Sequence, residues 1–201
     1  MASAPFERRL LALVRRLGVV RPRDLKTHGI SRAHLYRLAD KGLLERQGRG
    51  LYVVSDHPFT ENHGLVLVAK RVPDAVICLL TALRFHDLTT QLPWQVWIAL
   101  PDKARRPQLD YPRLRVVRFS GAALTEGIET HLIEGVTVRV YSPAKTVADC
   151  FKHRNKVGVD VAIEALKDFT RDHRGKAGDL AHFAQVCRVR RIMQPYLDAI
   201  T

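Results

Sequence analysis

Residues 20–54 read VRPRDLKTHGISRAHLYRLADKGLLERQGRGLYVV, and this stretch decides the fold of the N-terminal part of the chain. Pro22 suits the first turn of a short helix, where its missing N–H costs nothing. Gly29 can end that helix because it adopts a positive φ without strain. Ser31 is a favourable N-cap, with a hydroxyl that can accept a hydrogen bond from the backbone of the next helix. The pattern therefore predicts helix, tight turn and second helix.

The second of these helices has an apolar stripe, and a hairpin follows it. Leu35 and Leu38 recur at helical spacing and predict a face buried against an earlier amphipathic helix, residues 6–17. Residues 43–46 and 51–54 are short β-prone runs around a glycine-rich turn, which predicts a β-hairpin. This order of elements predicts a winged helix-turn-helix, a module that places its second helix in the major groove of DNA.

The side chains outside the apolar stripe are mostly basic or hydrogen-bonding. Arg32, His34 and Arg37 are the best candidates to reach base edges, because the planar arginine fork pairs with both acceptors of guanine. Arg46 and Arg49 on the hairpin are expected to meet phosphate or the minor groove, which positions a domain without reading sequence. The alternative is that these charged residues form an ordinary solvent-exposed helix face that does not contact DNA. The full set of predicted DNA-binding residues is Arg21, Arg23, Lys26, Ser31, Arg32, His34, Tyr36, Arg37, Lys41, Arg46 and Arg49.

Charge and composition agree with a nucleic-acid partner. The chain has 33 Lys and Arg against 20 Asp and Glu, a net charge of +13, and residues 1–56 alone carry 12 basic and 5 acidic residues. A basic excess concentrated on the proposed module is what phosphate binding requires. Because the chain has neither a long apolar span nor an apolar signal core, we expect a cytoplasmic protein without membrane association. Its three scattered cysteines predict buried, reduced thiols.

The rest of the chain predicts an α+β fold. We expect a winged helix-turn-helix domain over residues 1–56, followed by a mixed α/β domain over residues 57–201 with a C-terminal helical cluster. Alternating or apolar runs predict strands at 95–100, 114–119 and 136–141, with a further strand at 127–133 closed onto the last by a Glu134-Gly135 turn. Helices are predicted at 61–71, 80–86, from 142, and at 159–170, 178–188 and 190–200.

The segment from Ser142 to Gly158 has two interpretations. Lys145 and Asp149 are four residues apart on a helix, and this spacing favours a surface ion pair with a structural role. Lys145, Thr146, Asp149 and Lys152 could instead form a polar patch for a nucleic acid or a protein partner. If the second interpretation holds, this patch is the expected location of an effector activity.

The chain resembles the AbiEi family of antitoxins, the DNA-binding half of type IV toxin–antitoxin pairs. The resemblance rests on ISRAHLYRLADKGLLERQGRGLYVV, VWIALP and YSPAKTVADCFKHRNKVG. It implies a bacterial, nucleoid-associated repressor that binds double-stranded operator DNA, with inverted repeats expected, and regulates its own operon. It also implies a nucleotidyltransferase-like toxin as functional partner, with no stable complex required. The family pattern places DNA contacts at Arg32, His34, Arg37 and Arg49.

Enzyme signatures are absent from the sequence. It contains no phosphate-binding loop, no dinucleotide fingerprint and no paired C-x-x-C, and its nine histidines have no recognisable ligand spacing. We therefore expect a protein that is not an enzyme and has neither a metal site nor a cofactor. The alternative is a DNA-processing enzyme that the winged helix directs to DNA, with a nuclease-like metal site built from Asp87, Asp102 or Asp110.

Overall fold

A computed structural model describes residues 4–171 and 177–200 and has the α+β composition that the sequence predicts. The chain divides into two compact units. Unit 1 runs to Pro73 and also includes Leu109–Pro112 and Leu132–Val138, and unit 2 comprises Asp74–Gln108, Arg113–His131 and the chain from Arg139 onward. The boundary predicted between residues 56 and 57 thus lies inside unit 1.

Unit 1 contains four helices and a hairpin among its described residues. They are α1 (Ala4–Leu17), α2 (Pro22–Lys26), α3 (Arg32–Asp40), β1 (Leu44–Gly48), β2 (Leu51–Val54) and α4 (His63–Arg71). β1 and β2 pair antiparallel, and Val20 adds a further antiparallel bridge to Tyr52. The tight turn between α2 and α3 contains Gly29 with φ of 69°, which confirms the predicted left-handed end of α2.

An apolar core explains how these short elements hold together. Leu10 and Val14 of α1, Leu25 of α2 and the predicted stripe of Leu35 and Leu38 on α3 are all buried in one cluster. Helices this short are marginal in water, so their stability must come from packing of the apolar face. The stripe fixes which side of α3 faces the core and which side faces solvent.

The remaining elements follow in chain order and include a mixed five-stranded sheet. They are β3 (Val76–Ile77), α5 (Leu79–Phe85), β4 (Val96–Pro101), β5 (Leu114–Phe119), α6 (Ala122–Thr125), β6 (Ile128–Ile133), β7 (Val136–Tyr141), α7 (Pro143–Lys152), α8 (Arg154–Val157), α9 (Val159–Arg171), α10 (Ala177–Val186) and α11 (Arg190–Ile200). The strand order is β5-β4-β3-β7-β6; β3 runs antiparallel to β4 and parallel to β7, and β4 runs parallel to β5. No helix within residues 4–171 and 177–200 is long and apolar enough to cross a membrane.

Helix α7 is the centre of unit 2. Every residue from 144 to 151 is buried, and α7 packs against α5, α9 and α10. Lys145, Thr146 and Asp149 are therefore buried as well, at 0–1% exposure. The expectation of a surface ion pair or an exposed polar patch at these three residues is wrong, because the helix that carries them is covered on all of its sides.

The cysteines all belong to unit 2 and confirm the expectation of buried thiols. Cys78, Cys150 and Cys187 are buried and form no disulfide. Burial is the main cause that raises the pKa of each of these thiols, and the neighbouring carboxylate of Asp149 acts in the same direction. A thiol with a raised pKa carries little of the reactive thiolate.

The turn at Gly18 yields a test with a matched control. Gly18 (φ 64°) and Gly29 (φ 69°) both adopt left-handed conformations, but a Cβ on Gly18 would lie 1.7 Å from the carbonyl oxygen of Glu134, whereas a Cβ on Gly29 would meet nothing within 4 Å. Gly29→Ala should cost about 1–2 kcal/mol of unfolding free energy from the backbone conformation alone. Gly18→Ala should cost clearly more, because backbone has to move. Urea unfolding of both variants measures the difference, and equal losses would contradict it.

Candidate nucleic-acid interface

Helix α3 presents a basic surface opposite its buried stripe. Leu35 and Leu38 are 0% and 2% exposed, whereas Arg32 and Arg37 are exposed and Tyr36 is 43% exposed. Neither Arg32 nor Arg37 has an ion-pair partner within the described part of the chain. Both guanidinium groups are thus available to an external ligand. The arrangement matches the predicted outward face of this helix.

The N-terminal end of α3 differs from the prediction in one respect. Ser31 occupies the N-cap position, but its side chain makes no capping hydrogen bond. Its hydroxyl contacts His34 Nδ1 at 2.8 Å instead, and the His34 ring lies against Phe6 with centroids 4.8 Å apart. His34 is therefore half-buried and held from two sides, so it is a weaker candidate for a base contact than Arg32 or Arg37.

The hairpin and α2 supply further exposed basic groups. Arg46 on β1 is exposed and donates through Nε to the carbonyl oxygen of Gly48 at 3.1 Å, which ties the side chain to the turn. Arg49 in that turn is exposed, as are Arg23 and Lys26 on α2. Lys41 at the end of α3 is exposed but forms an ion pair with Glu7. These residues surround α3 with positive charge.

Arg21 has a different role from the one predicted. Its guanidinium pairs with Asp24 (Nη2 to Oδ1, 2.9 Å) and also donates to the backbone carbonyl of Lys70, while Lys70 Nζ reaches Asp24 at 3.2 Å. Burial raises the pKa of Asp24, but these hydrogen bonds and charges outweigh it and lower the pKa below its usual value. Arg21 is half-buried and occupied, so we interpret it as a residue that positions α2 and not as a phosphate contact.

Of the predicted DNA-binding set, the structure keeps nine residues on the surface. The two that it draws inward are Arg21 and His34. The exposed residues are Arg23, Lys26, Ser31, Arg32, Tyr36, Arg37, Lys41, Arg46 and Arg49. Their exposure makes contact possible; contact itself stays a prediction.

The second predicted site becomes an internal charge pair. Lys145 Nζ donates to Asp149 Oδ2 at 2.5 Å and lies 4.2 Å from the centre of the Tyr141 ring. Asp149 Oδ1 accepts from Cys187 Sγ at 3.1 Å, and the Thr146 hydroxyl donates to the carbonyl of Tyr141 at 3.1 Å. Burial raises the pKa of Asp149 to about 6, against the opposing effect of Lys145. Lys145 and Thr146 are fully buried, so a protein or nucleic-acid partner cannot contact them directly.

A pocket of about 410 Å³ lies next to this pair in unit 2. Asp149 and Cys187 contribute to its wall, and Arg118, Lys152 and Arg188 contribute positive charge. Lys152 is the one member of the predicted patch that is exposed. His153 also lines the pocket; burial, followed by the charges of Lys156 and Lys152, lowers its pKa to about 4.

One cluster was missed by sequence reasoning. His57, His63 and Glu134 of unit 1 bring their ligand atoms within 4.8 Å of one another. Burial raises the pKa of Glu134, but hydrogen bonds from His63, Thr60 and His57 hold it at about 2. The glutamate follows the histidines by more than seventy positions, so no local spacing could have indicated the cluster. Within the part of the chain that the structure describes, Asp87, Asp102 and Asp110 of the predicted alternative do not belong to a group of three metal-ligating side chains.

A comparison with protein families finds a match within unit 1. Residues 8–55 match the family described as "Transcriptional regulator, AbiEi antitoxin". This match confirms the AbiEi resemblance. It covers most of α1 and all of α2, α3 and the β1–β2 hairpin, so the exposed arginines on these elements lie within the matched segment. AbiEi proteins are transcriptional regulators by this description.

Similarity to solved structures extends over the rest of the chain. The chain superimposes on the structure titled "Crystal structure of RV2827C protein from Mycobacterium tuberculosis" with a TM-score of 0.59 and 17% identity. The alignment covers 92% of this chain and 72% of that one, which supports a shared fold. No curated protein matches the chain at a significant level.

The buried pair predicts strong coupling between its two members. Replacing one partner leaves the other charge unpaired in the core, so Lys145→Met and Asp149→Leu should each cost about 3–5 kcal/mol of unfolding free energy. The double replacement should cost much less than the sum, since it leaves no uncompensated charge. Urea unfolding of the two single variants and the double variant measures the coupling. Additive losses would contradict the pairing.

His153 predicts an acid sensitivity of unit 2. Its folded pKa of about 4 lies below the ordinary 6.5, so between these pH values the unfolded chain binds a proton that the folded chain does not. Stability should therefore fall as the pH decreases through this window. His153→Gln should flatten that dependence. Thermal unfolding across the window is the measurement, and an unchanged slope in His153→Gln would refute the assignment.

Proposed function

We propose that residues 20–54 form a winged helix-turn-helix that binds operator DNA, and that the chain acts as the antitoxin and repressor of a toxin–antitoxin operon. In this proposal α3 is the recognition helix and the β1–β2 hairpin is the wing. The observation that carries it is the exposure of Arg32 and Arg37 on the face of α3 opposite the buried leucines, where neither has an ion-pair partner among the described residues.

The order and pairing of elements support the DNA-binding role. A helix, an isolated strand bridge at Val20, two helices across a tight turn, and an antiparallel hairpin follow one another within unit 1. An arginine at the tip of the hairpin, Arg49, and basic residues on α2 lie outside the recognition helix. In helix-turn-helix proteins such groups contact phosphate and fix the register, while the recognition helix contacts base edges.

The antitoxin role rests on the family similarity of residues 8–55. Type IV pairing, autoregulation and a nucleotidyltransferase-like toxin are the finer parts of this proposal. For unit 2 we propose that a partner approaches at Lys152 and the neighbouring pocket, because Lys145 and Thr146 are enclosed and Asp149 borders only this pocket wall. The test is whether expression of a toxin-like protein encoded next to this gene is tolerated with the wild-type chain and less so with Lys152→Glu.

Binding to DNA yields the sharpest test of the proposal. Arg37→Ala should lose about 1–3 kcal/mol on the upstream region of its own gene and less on random DNA, since a bidentate base contact reads sequence. Arg49→Ala should weaken binding to both DNAs and make the salt dependence shallower by about one unit of slope. Fluorescence anisotropy at several salt concentrations measures both effects.

The matched control is Arg71→Ala, which removes an exposed arginine of unit 1 at the end of α4, outside the predicted DNA-binding set. It should bind like the wild type. Equal losses on both DNAs for Arg37→Ala and Arg49→Ala would contradict the division between reading and positioning. Wild-type affinity in an Arg32→Ala, Arg37→Ala double variant would overturn the recognition helix itself.

A further inference from the structure

Three side chains of unit 1 converge on one point that the DNA-binding role does not use. His57 Nε2 lies 2.9 Å and His63 Nδ1 lies 2.7 Å from the same oxygen, Oε2 of Glu134. The side chains are 6%, 14% and 2% exposed, so the meeting point is almost shielded from water. Such convergence of two imidazoles on one carboxylate oxygen needs an explanation beyond ordinary surface pairing.

The ligand types are those of a divalent transition-metal site. Two histidine nitrogens and one glutamate oxygen hold zinc in sites that keep a fourth position for water, with ligand distances near 2.0–2.2 Å. Ligands around a tetrahedral ion stand roughly 3.3 Å apart at such distances. The two nitrogen–oxygen separations are shorter by about half an ångström, so small side-chain rotations would admit an ion between them.

A second shell is already in place for the carboxylate. Glu134 Oε1 accepts hydrogen bonds from both the backbone N–H and the hydroxyl of Thr60, each at 2.8 Å. These bonds fix the orientation of the carboxylate and leave Oε2 directed at the two histidines. Metal-binding carboxylates are oriented in the same way by outer hydrogen bonds.

The His63 ring is closely enclosed in this cluster. An ionised carboxylate only accepts, so without an ion each histidine must direct an N–H at Oε2. The other ring nitrogen of His63, Nε2, is buried without a hydrogen-bond partner among the described residues. An ion at Nδ1 would leave Nε2 in the same position, so this atom shows how closely the ring is enclosed and does not distinguish the two states. The Phe59 ring contacts His63 edge-on, with centroids 4.5 Å apart.

We propose that His57, His63 and Glu134 bind a divalent transition-metal ion of the zinc class, with water as the fourth ligand. On binding, each imidazole presents its unprotonated nitrogen to the ion, and the proton that this nitrogen carried moves to the other ring nitrogen or, from a cationic ring, to solvent. It connects the segment before α4 to the β6–β7 turn, whose Gly135 lies against the backbone of Arg16 at the end of α1. The site thereby stabilises the framework of unit 1 and does not depend on the proposed DNA contacts.

The test uses untagged full-length protein that has been stripped of metal by a chelator. Titration with Zn²⁺ in a calorimeter should show one equivalent bound, and Co²⁺ should produce the visible d–d bands of a tetrahedral site. Zn²⁺ should also raise the melting temperature. His63→Gln and Glu134→Gln should each weaken Zn²⁺ binding by at least about tenfold, since losing even an outer-shell partner has an effect of that order.

The matched control is His182→Gln, which removes a histidine whose Nε2 lies 2.8 Å from Glu126 in an exposed pair. It should bind Zn²⁺ as the wild type does. Failure of the wild-type protein to bind Zn²⁺ or to produce the Co²⁺ bands would overturn the proposal, and that result does not depend on any variant folding. Equal binding by wild type and Glu134→Gln would also overturn it. DNA binding by the metal-free protein is measured separately.

Discussion

Unit 2 depends on a helix without a solvent-facing side, and the ion pair of Lys145 with Asp149 permits that arrangement. A lone charge in this position would be prohibitively costly, so each member requires the other. Asp149 forms part of the wall of the pocket that Lys152 borders, and it accepts a hydrogen bond from Cys187. The ion pair therefore contributes to the chemistry of the pocket wall.

The same helix shows where sequence reasoning ends. Strands 114–119 and 136–141 and helix 190–200 agree with the predicted bounds to the residue, because alternation, the Glu134-Gly135 turn and helical periodicity are local signals. An i, i+4 pair of lysine and aspartate has the same local signal on a surface and in a core. Which one applies is decided by whether other helices cover it, and α5, α9 and α10 come from distant parts of the chain.

In the candidate interface, too, local features could be predicted from the sequence and contacts between distant residues could not. The exposure of Arg32 and Arg37 follows from the stripe of Leu35 and Leu38. This signal is local, because all four residues lie within the nine residues of α3. Arg21 is engaged both by Asp24, three positions away, and by a carbonyl 49 positions away, and the cluster at Glu134 joins residues 71 and 77 positions apart. Periodicity can therefore indicate which side of a helix faces solvent. It cannot indicate which polar side chains bind to a segment that is distant in the sequence.

The burial of the cysteines has a practical consequence. Cys78, Cys150 and Cys187 all belong to unit 2 and have raised pKa values. Cys78 and Cys150 are fully buried, so an alkylating reagent can modify them only after that part of the protein opens, whereas Cys187 lies in the wall of the pocket. The rate at which the buried thiols are labelled therefore reports local unfolding in unit 2. Unit 1 is not labelled in the same experiment, because its ranges contain no cysteine.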